Sequence, residues 1–323
     1  MKLHAMLGVA LCAGALAAAQ ACAQAYPSKP IRIIVPFPPG GTSDILARLI
    51  GTEITKSWGQ QVVVENRTGA NGNIGAELVA RSTPDGHTMV LMDVGNLTIS
   101  PSLYKLPFDI IKDFAPVTTV SYSPHLLCSH PSVPVKTVKD LIALAKTQPG
   151  KLNYGTGLGS APHMAGLMFA HHTGVKWTYI PTRGGTDSIL VVATGQSDVL
   201  FNGMLATLPH VTSGRLKLLA VSSEQRVPSI SGVPTVAEAG GLPGFVTGSW
   251  QGLLGPSRMP VDIVARIQAE VVRIIRQPDF TEKLAGHGSD AIGNNPSEMA
   301  MWLAAEKERW SKLIKETGYR LDQ

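Results

Sequence analysis

Apolar residues follow two rhythms along this chain. Short β-branched runs alternate with stretches whose apolar positions recur every three or four residues. The first run, Ile31 to Val35, meets a Pro/Gly turn and then Thr42, Ser43 and Asp44. Behind them Ile45, Leu46, Leu49, Ile50 and Ile54 repeat with helical spacing. The pattern predicts a buried strand, a tight loop and a helix start. Free N–H groups and a partial positive charge make such a start suited to an anion such as a carboxylate.

The same grammar continues. Residues 61–65 are predicted as a strand, 66–73 as a turn-rich loop and 74–81 as a helix. Residues 87–92 are predicted as a strand and 93–96 as a polar loop. This is the order of a parallel sheet with helical crossovers, whose ligands sit beyond the carboxyl ends of the strands. The loops at Gly40 and Asp93 both lie at such ends. Residues 101–118, with Pro101, Pro107 and Pro116, form a connector, and 117–122 and 126–129 are predicted to be extended.

A second α/β series follows. Thr137 is placed to cap a helix over 138–147, with Asp140 completing a capping box. Strands are predicted at 152–154, 177–180, 198–201 and 216–221, and helices at 163–171, 187–194 and 204–213. The loop from Gly155 to Ser160 repeats the logic of the Gly40 loop, so two helix starts could close on one anion like a clamshell. The last seventy or so residues read as mostly helical. One stripe holds Val264, Ile267, Val271, Ile274 and Ile275; a looser one holds Met301, Leu303, Trp310, Leu313 and Ile314. With too few strands for a third domain, these helices are expected to return to the first. The expected division is 26–121 and 246–323 for one domain and 122–245 for the other.

Composition narrows the function. Lys2 followed by an apolar stretch from Ala5 to Ala19 and small-x-small sites reads as an export signal over residues 1–25, cleaved after Ala25. Gln20 and Ala19 before Cys22 do not suit a lipid anchor. Cys128 then remains as the lone thiol, expected as a small buried apolar residue. Removing 25 of 323 residues leaves 298, enough for two domains. The net charge of +5 falls to about +4 without Lys2 and is spread along the chain, which argues against a nucleic-acid partner.

Catalytic signatures are missing from the sequence: no metalloprotease helix motif, no paired-cysteine metal clip, no Gly-x-Ser-x-Gly elbow and no Walker loop. Gly155-x-Gly157-x-Gly159 lacks the last Gly of a dinucleotide fingerprint and an acidic residue twenty positions on, so no cofactor is expected. His171 and His172 are expected to be solvated or singly hydrogen-bonded, whereas His163 follows the Gly155 loop closely enough to face a ligand. Arg183 sits at another strand-to-helix loop, where it could pair with a carboxylate or stay solvated. Asp44 is expected to stabilise its helix dipole. Asp93 would repel an anion unless it accepts a hydrogen bond from a ligand hydroxyl or amine.

Several ordered blocks carry a resemblance that spans essentially the whole chain after the leader. They are Tyr26-Pro-Ser-Lys-Pro-Ile-Arg32, Pro36-Phe-Pro-Pro-Gly-Gly-Thr-Ser-Asp44, Gly69-Ala-Asn-Gly-Asn-Ile-Gly75, Pro84-Asp-Gly86, Lys112-Asp-Phe-Ala-Pro116 and Pro234-Thr-Val-Ala-Glu-Ala-Gly240. The chain resembles the Bug-type solute receptors, the binding component of tripartite tricarboxylate transporters. The resemblance implies a two-lobed periplasmic-binding-protein-like α/β clamshell, each lobe a mainly parallel sheet flanked by helices, with two interdomain crossings. It implies a periplasmic receptor, not an enzyme, that binds a small organic mono- or dicarboxylate, aliphatic or aromatic, and delivers it to membrane permease subunits. A sensor presenting the same ligand to a signalling partner is the alternative.

In that family, the loop matching Phe37, Pro39, Gly40, Gly41, Thr42 and Ser43 faces the loop matching Gly157, Gly159 and Ser160 across the cleft. Backbone groups and ordered waters hold one carboxylate there. His163 follows the second of these loops. The loops matching 93–98 (with Asp93, Gly95 and Asn96), 183–185 (with Arg183 and Gly184) and 201–203 (with Asn202) line the rest. Thr182 replaces a usual aromatic and Leu167 a usual Glu, so the departures fall in the distal pocket.

Overall fold

The computed structural model describes residues 26–321; the expected export signal lies outside them. In chain order the first elements are β1 (Ile31–Val35), α1 (Thr42–Trp58), β2 (Val62–Asn66), α2 (Asn73–Ala80), β3 (Thr88–Asp93), α3 (Val94–Leu103) and β4 (Phe114–Ser129). Then come α4 (Val138–Thr147), β5 (Asn153–Thr156), α5 (Ala161–Thr173), β6 (Thr178–Pro181), α6 (Gly185–Ala193), β7 (Val199–Gly203), α7 (Met204–Thr212), β8 (Lys217–Val221) and α8 (Val236–Gly240). The chain ends with β9 (Gly248–Pro256), α9 (Val261–Ile275), α10 (Pro278–Gly286), β10 (Asp290–Ala291) and α11 (Pro296–Thr317).

These elements build a two-lobed α/β clamshell. The strand order is β2-β1-β3-β9-β4-β7-β5-β6. Each lobe keeps a parallel trio, β2-β1-β3 in the first and β7-β5-β6 in the second. The strands that join the two trios run antiparallel, which makes the continuous sheet mixed.

β4 makes the joint. The sequence suggested two extended pieces here, 117–122 and 126–129; the structure has one strand. Its first part pairs with β9 up to Pro124, opposite Gly248. From His125 it pairs with β7 and β8 in the other lobe. Pro124 sits at the change of partner, the place in a strand where a missing N–H is easiest to accommodate.

The residues after Asp93 form helix α3, not the expected polar loop. Asp93 caps it by accepting the Gly95 N–H at 2.9 Å. Val94 through Ser100 are all buried, so no polar face marks the helix in the sequence. Thr98 and Ser100 donate their hydroxyls back to the Gly95 and Asn96 carbonyls, which lets polar side chains sit inside the fold.

Two main cores result. Val264, Ile267, Val271, Ile274 and Ile275 of α9 share one with Ile31, Ile33, Leu46, Ile50 and Ile54. At roughly 1.5–3 kcal/mol for each large side chain buried, that contact ties the late helices to the first lobe. Phe169, Phe201, Phe245, Tyr154 and Trp177 centre the other. In α11 the expected Met301 is 66% exposed, and Met299 takes its core position. Trp310 and Ile314 of α11 pack with Ile99 of the first lobe and Ala161 and Met164 of the second. Cys128 is buried and free, its thiol pushed up by burial.

Candidate functional site at the lobe junction

Strand ends from both lobes open onto one cavity of about 60 Å³. The β1–α1 corner contributes Phe37, Gly41, Thr42 and Ser43, and the β3–α3 corner Asp93 and Asn96. From the second lobe come Gly157, Ser160 and Pro162, then Gly184, Gly185, Thr186 and Ser188, then Asn202, Gly203 and Ala206. Asn71, Ser249 and Gln251 complete the wall, and no Lys, Arg or His is part of it.

Backbone donors replace the missing cations. Helix α1 starts at Gly41, which offers no side-chain acceptor, and its first backbone bond runs from Ile45 N–H to Gly41 C=O. The N–H groups of Thr42, Ser43 and Asp44 precede that bond, where a helix has no carbonyl for them. Helix α6 repeats the arrangement in the second lobe: Gly184 provides no cap, and the first bond is from Ser188 N–H to Gly184 C=O. The two starts touch, since a Cβ on Gly41 would stand 3.2 Å from Thr186 Oγ1. Helix dipoles thus point into the cavity from both sides.

The Ser160 corner was expected to supply the second set of donors, and here the geometry differs. Ala161 N–H already donates to Asn96 Oδ1 at 2.8 Å, and Pro162 has no N–H. His163 N–H donates to Ser160 Oγ, and Met164 N–H to Ser160 C=O. That helix start is satisfied within the protein, and α6 fills its expected place. Tyr154 holds Pro162 from below, its hydroxyl donating to the Pro162 carbonyl at 2.6 Å.

Other expected residues sit beside the cavity without lining it. Gly40 donates its N–H to Asp44 at 3.0 Å, and Pro39 offers its carbonyl to Thr186 at the outer lip. Burial pushes the Asp44 carboxyl up, but Arg48, the Gly40 N–H and Asn66 pull it below the usual range. Asp44 therefore fastens the loop and faces away from the cavity, as its helix-start role suggested. Gly95 lies beneath Asp93 as the capped donor. Gly159 is gripped on both sides, its N–H by His163 Nδ1 and its carbonyl by Asn71 Nδ2 at 2.7 Å. His163 is fully buried between Tyr179 and Tyr319, and burial lowers it to about 3, so it is neutral. Arg183 is 82% exposed and pairs with Asp187 at 2.6 Å on the outer side of the α6 start. These residues lie on loops that border the cavity, but a loop position does not fix where a side chain points.

Seven lining residues went unread in the sequence: Asn71, Pro162, Thr186, Ser188, Ala206, Ser249 and Gln251. Thr186 was legible, because Gly184-Gly185-Thr186 repeats Gly40-Gly41-Thr42. Ser249 and Gln251 stand two apart on β9, so they share a face, but nothing local says which face. Trp58 packs with Tyr26, and Trp250 with Tyr122 and Trp302; neither tryptophan reaches the cavity.

Asp93 is the one ionisable side chain among the described residues lining the cavity. It is 6% exposed, and desolvation pushes its carboxyl up to about 7 against the pull of the Ser249 hydroxyl and the N–H groups of Gly95, Trp250 and Asn96. Among the described residues no group of three or more His, Cys, Asp or Glu could hold a metal ion, and no helix is long and apolar enough to cross a membrane.

Residues 46–319 match the family model described as "Tripartite tricarboxylate transporter family receptor". BugT of Bordetella pertussis is 32% identical over 99% of this chain and 98% of its own. A structure of Rpa4515 from R. palustris with adipate has a TM-score of 0.87 at 34% identity, covering 91% of this chain and 98% of that one. MatC from Rhodopseudomonas palustris with bound malate has a TM-score of 0.85 at 31% identity, covering 90% of this chain and 100% of that one. These relatives are solute-binding receptors and not enzymes. With most of its length matched and both lobes superposing on such receptors, the chain belongs to the Bug-type receptor family of the tripartite tricarboxylate transporters.

Proposed function

We propose that this protein captures a small organic mono- or dicarboxylate between its lobes and hands it to the permease of a tripartite transporter. In this reading residues 1–25 direct export to the periplasm and are removed. Residues 26–121 and 246–323 form one lobe and 122–245 the other. One observation carries the proposal: two helix starts without side-chain caps, α1 from one lobe and α6 from the other, meet at a cavity that holds no cation. Two opposed sets of backbone donors match the two oxygens of a carboxylate. Adipate in Rpa4515 and malate in MatC make a dicarboxylate the first ligand to try.

Calorimetry on ligand-stripped protein with three- to six-carbon mono- and dicarboxylates tests it. We expect at least one to bind in the micromolar range or tighter. Present at about 100 times its Kd, such a ligand adds about 2.7 kcal/mol of stability, which a thermal melt detects. A panel that yields neither heat nor a melting shift overturns the proposal.

A further inference from the structure

Asp93 and the two uncapped helix starts line one cavity of about 60 Å³, and no Lys, Arg or His lines it with them. An anion held there places a second negative charge beside an ionised Asp93, with no cation in the wall to offset either. Like charges in one buried site favour the protonated form of a carboxyl. The Asp93 carboxyl is met by the Ser249 hydroxyl and the N–H groups of Gly95, Trp250 and Asn96, yet burial outweighs them and pushes it up to about 7. The elements packed around it bring no free charge to its side. β3, α3 and β9 carry no other titratable side chain. Asp44 on α1 pairs with Arg48, Arg32 on β1 with Glu65, and Glu77 on α2 with Arg81. Asp187 on α6 pairs with Arg183 and Glu306 on α11 with Arg309, while Lys307 lies beside Tyr104 at the far end of α3. His163 on α5 and His125 on β4 are each lowered by burial to about 3 and stay neutral.

A directed chain of hydrogen bonds behind Asp93 suits the protonated acid. Ser222 gives its one hydroxyl hydrogen to the Thr247 carbonyl at 2.6 Å, so the Thr247 hydroxyl donates to Ser222 Oγ at 3.0 Å. His125 Nδ1, 3.0 Å from Thr247 Oγ1, is then the donor, which leaves Nε2 of the neutral ring as an acceptor. The Ser249 hydroxyl lies 3.4 Å from that nitrogen. Ser249 thus has two settings: donating to an ionised Asp93, or donating to His125 while its oxygen accepts from a protonated Asp93. We propose that the cavity takes up its anion together with a proton, which passes from solvent to an Asp93 carboxyl oxygen and points to Ser249 Oγ. The inference rests on the carboxylate reading of the cavity and adds the stoichiometry, one proton per acid bound in alkaline solution.

Calorimetry at pH 8 in phosphate and in Tris, whose heats of ionisation differ widely, counts the protons. Adipate and malate are the first probes, and any other acid of the three- to six-carbon panel that binds serves equally; all are ionised at that pH. From the difference between buffers we expect at least about half a proton taken up per acid bound at pH 8, and little at pH 6. The dissociation constant should be about tenfold higher at pH 8 than at pH 6. Asp93→Asn keeps an oxygen for the Gly95 N–H and turns an amide N–H toward Ser249, so it stands in for the protonated acid. That variant should bind without proton uptake, with one affinity at both pH values, and about tenfold more tightly than wild type at pH 8. Acid binding to wild type with no proton uptake and a flat pH profile overturns the inference and leaves the carboxylate reading standing, a result that needs no variant. Proton uptake that persists in Asp93→Asn places the proton on another group and overturns it equally. Binding of no acid in the panel removes both readings.

Discussion

Asp93 keeps its proton into a range where most carboxyls have lost theirs, and that has a consequence for stability. Burial raises its folded-state value to about 7, above the unfolded value near 4. Between those limits the native protein holds a proton that the unfolded chain has released. The favourable contribution is therefore complete below about pH 4 and is lost as pH rises to about 7. His125 meets Ser249 at 3.4 Å, but burial pushes it down to about 3, so it stays neutral across the window. Asp44, on the far side of the α1 start, is held below the usual range and stays ionised there. Urea titrations of ligand-free protein at pH 5 and pH 8 should show wild type losing on the order of 1–4 kcal/mol relative to Asp93→Asn. Equal pH slopes in the two proteins would show that Asp93 titrates normally. The sequence placed Asp93 in a site loop and recognised its conflict with an anion. It could not show that the residue caps a helix, since burial on every side of α3 erases the periodicity that would announce one.

Six of the helix starts among the described residues show two contrasting kinds. Helices α4, α8 and α11 begin with complete capping boxes, Thr137 with Asp140, Thr235 with Glu238 and Asn295 with Glu298, none of them among the cavity residues. Helices α1, α6 and α7 begin at glycine, without a side-chain cap, on the cavity. These three boxes serve stability away from the cavity, while the uncapped glycine starts leave their donors facing it. Thr137→Ala should cost about 1 kcal/mol in a denaturant titration while leaving ligand affinity unchanged. The Thr137 box was legible because its motif is local. The satisfied Ser160 corner was not, because its acceptor, Asn96, comes from a helix 65 positions away. That corner is gripped from the first lobe by Asn71, Asn96 and Tyr104, whose hydroxyl donates to the Leu158 carbonyl at 3.1 Å. Tyr104 does not line the cavity, so Tyr104→Phe removes a bond between lobes and no contact with a ligand. A net loss of about 1 kcal/mol for the closed form should weaken every acid about fivefold, without changing their order. A change in order, read by calorimetry, would assign Tyr104 to recognition instead.

Across the whole molecule, alternating strand and helix patterns made the two α/β series readable, and the late apolar stripe pointed back to the first lobe. The antiparallel joint was hidden, since β4 and β9 meet across more than a hundred residues and register leaves no local mark. Yet the joint brings the lobes close enough for backbone to meet side chain at the cavity mouth. A Cβ on Gly41 would stand only 3.2 Å from Thr186 Oγ1, and one on Gly184, at φ 152°, the same distance from Pro38 Cδ. A valine at position 41 adds two methyl groups where the first added atom is already tight, and φ of −79° there permits the residue. The β1 core behind it is untouched, so the fold should persist while the lobes are held apart. Gly41→Val should melt within a few degrees of wild type but bind every carboxylate at least a hundredfold more weakly. Small-angle scattering at saturating ligand should give the variant a larger radius of gyration than ligand-bound wild type. If Gly41→Val binds with wild-type affinity, the lobes do not need this approach, and the paired α1 and α6 starts are not what holds the acid.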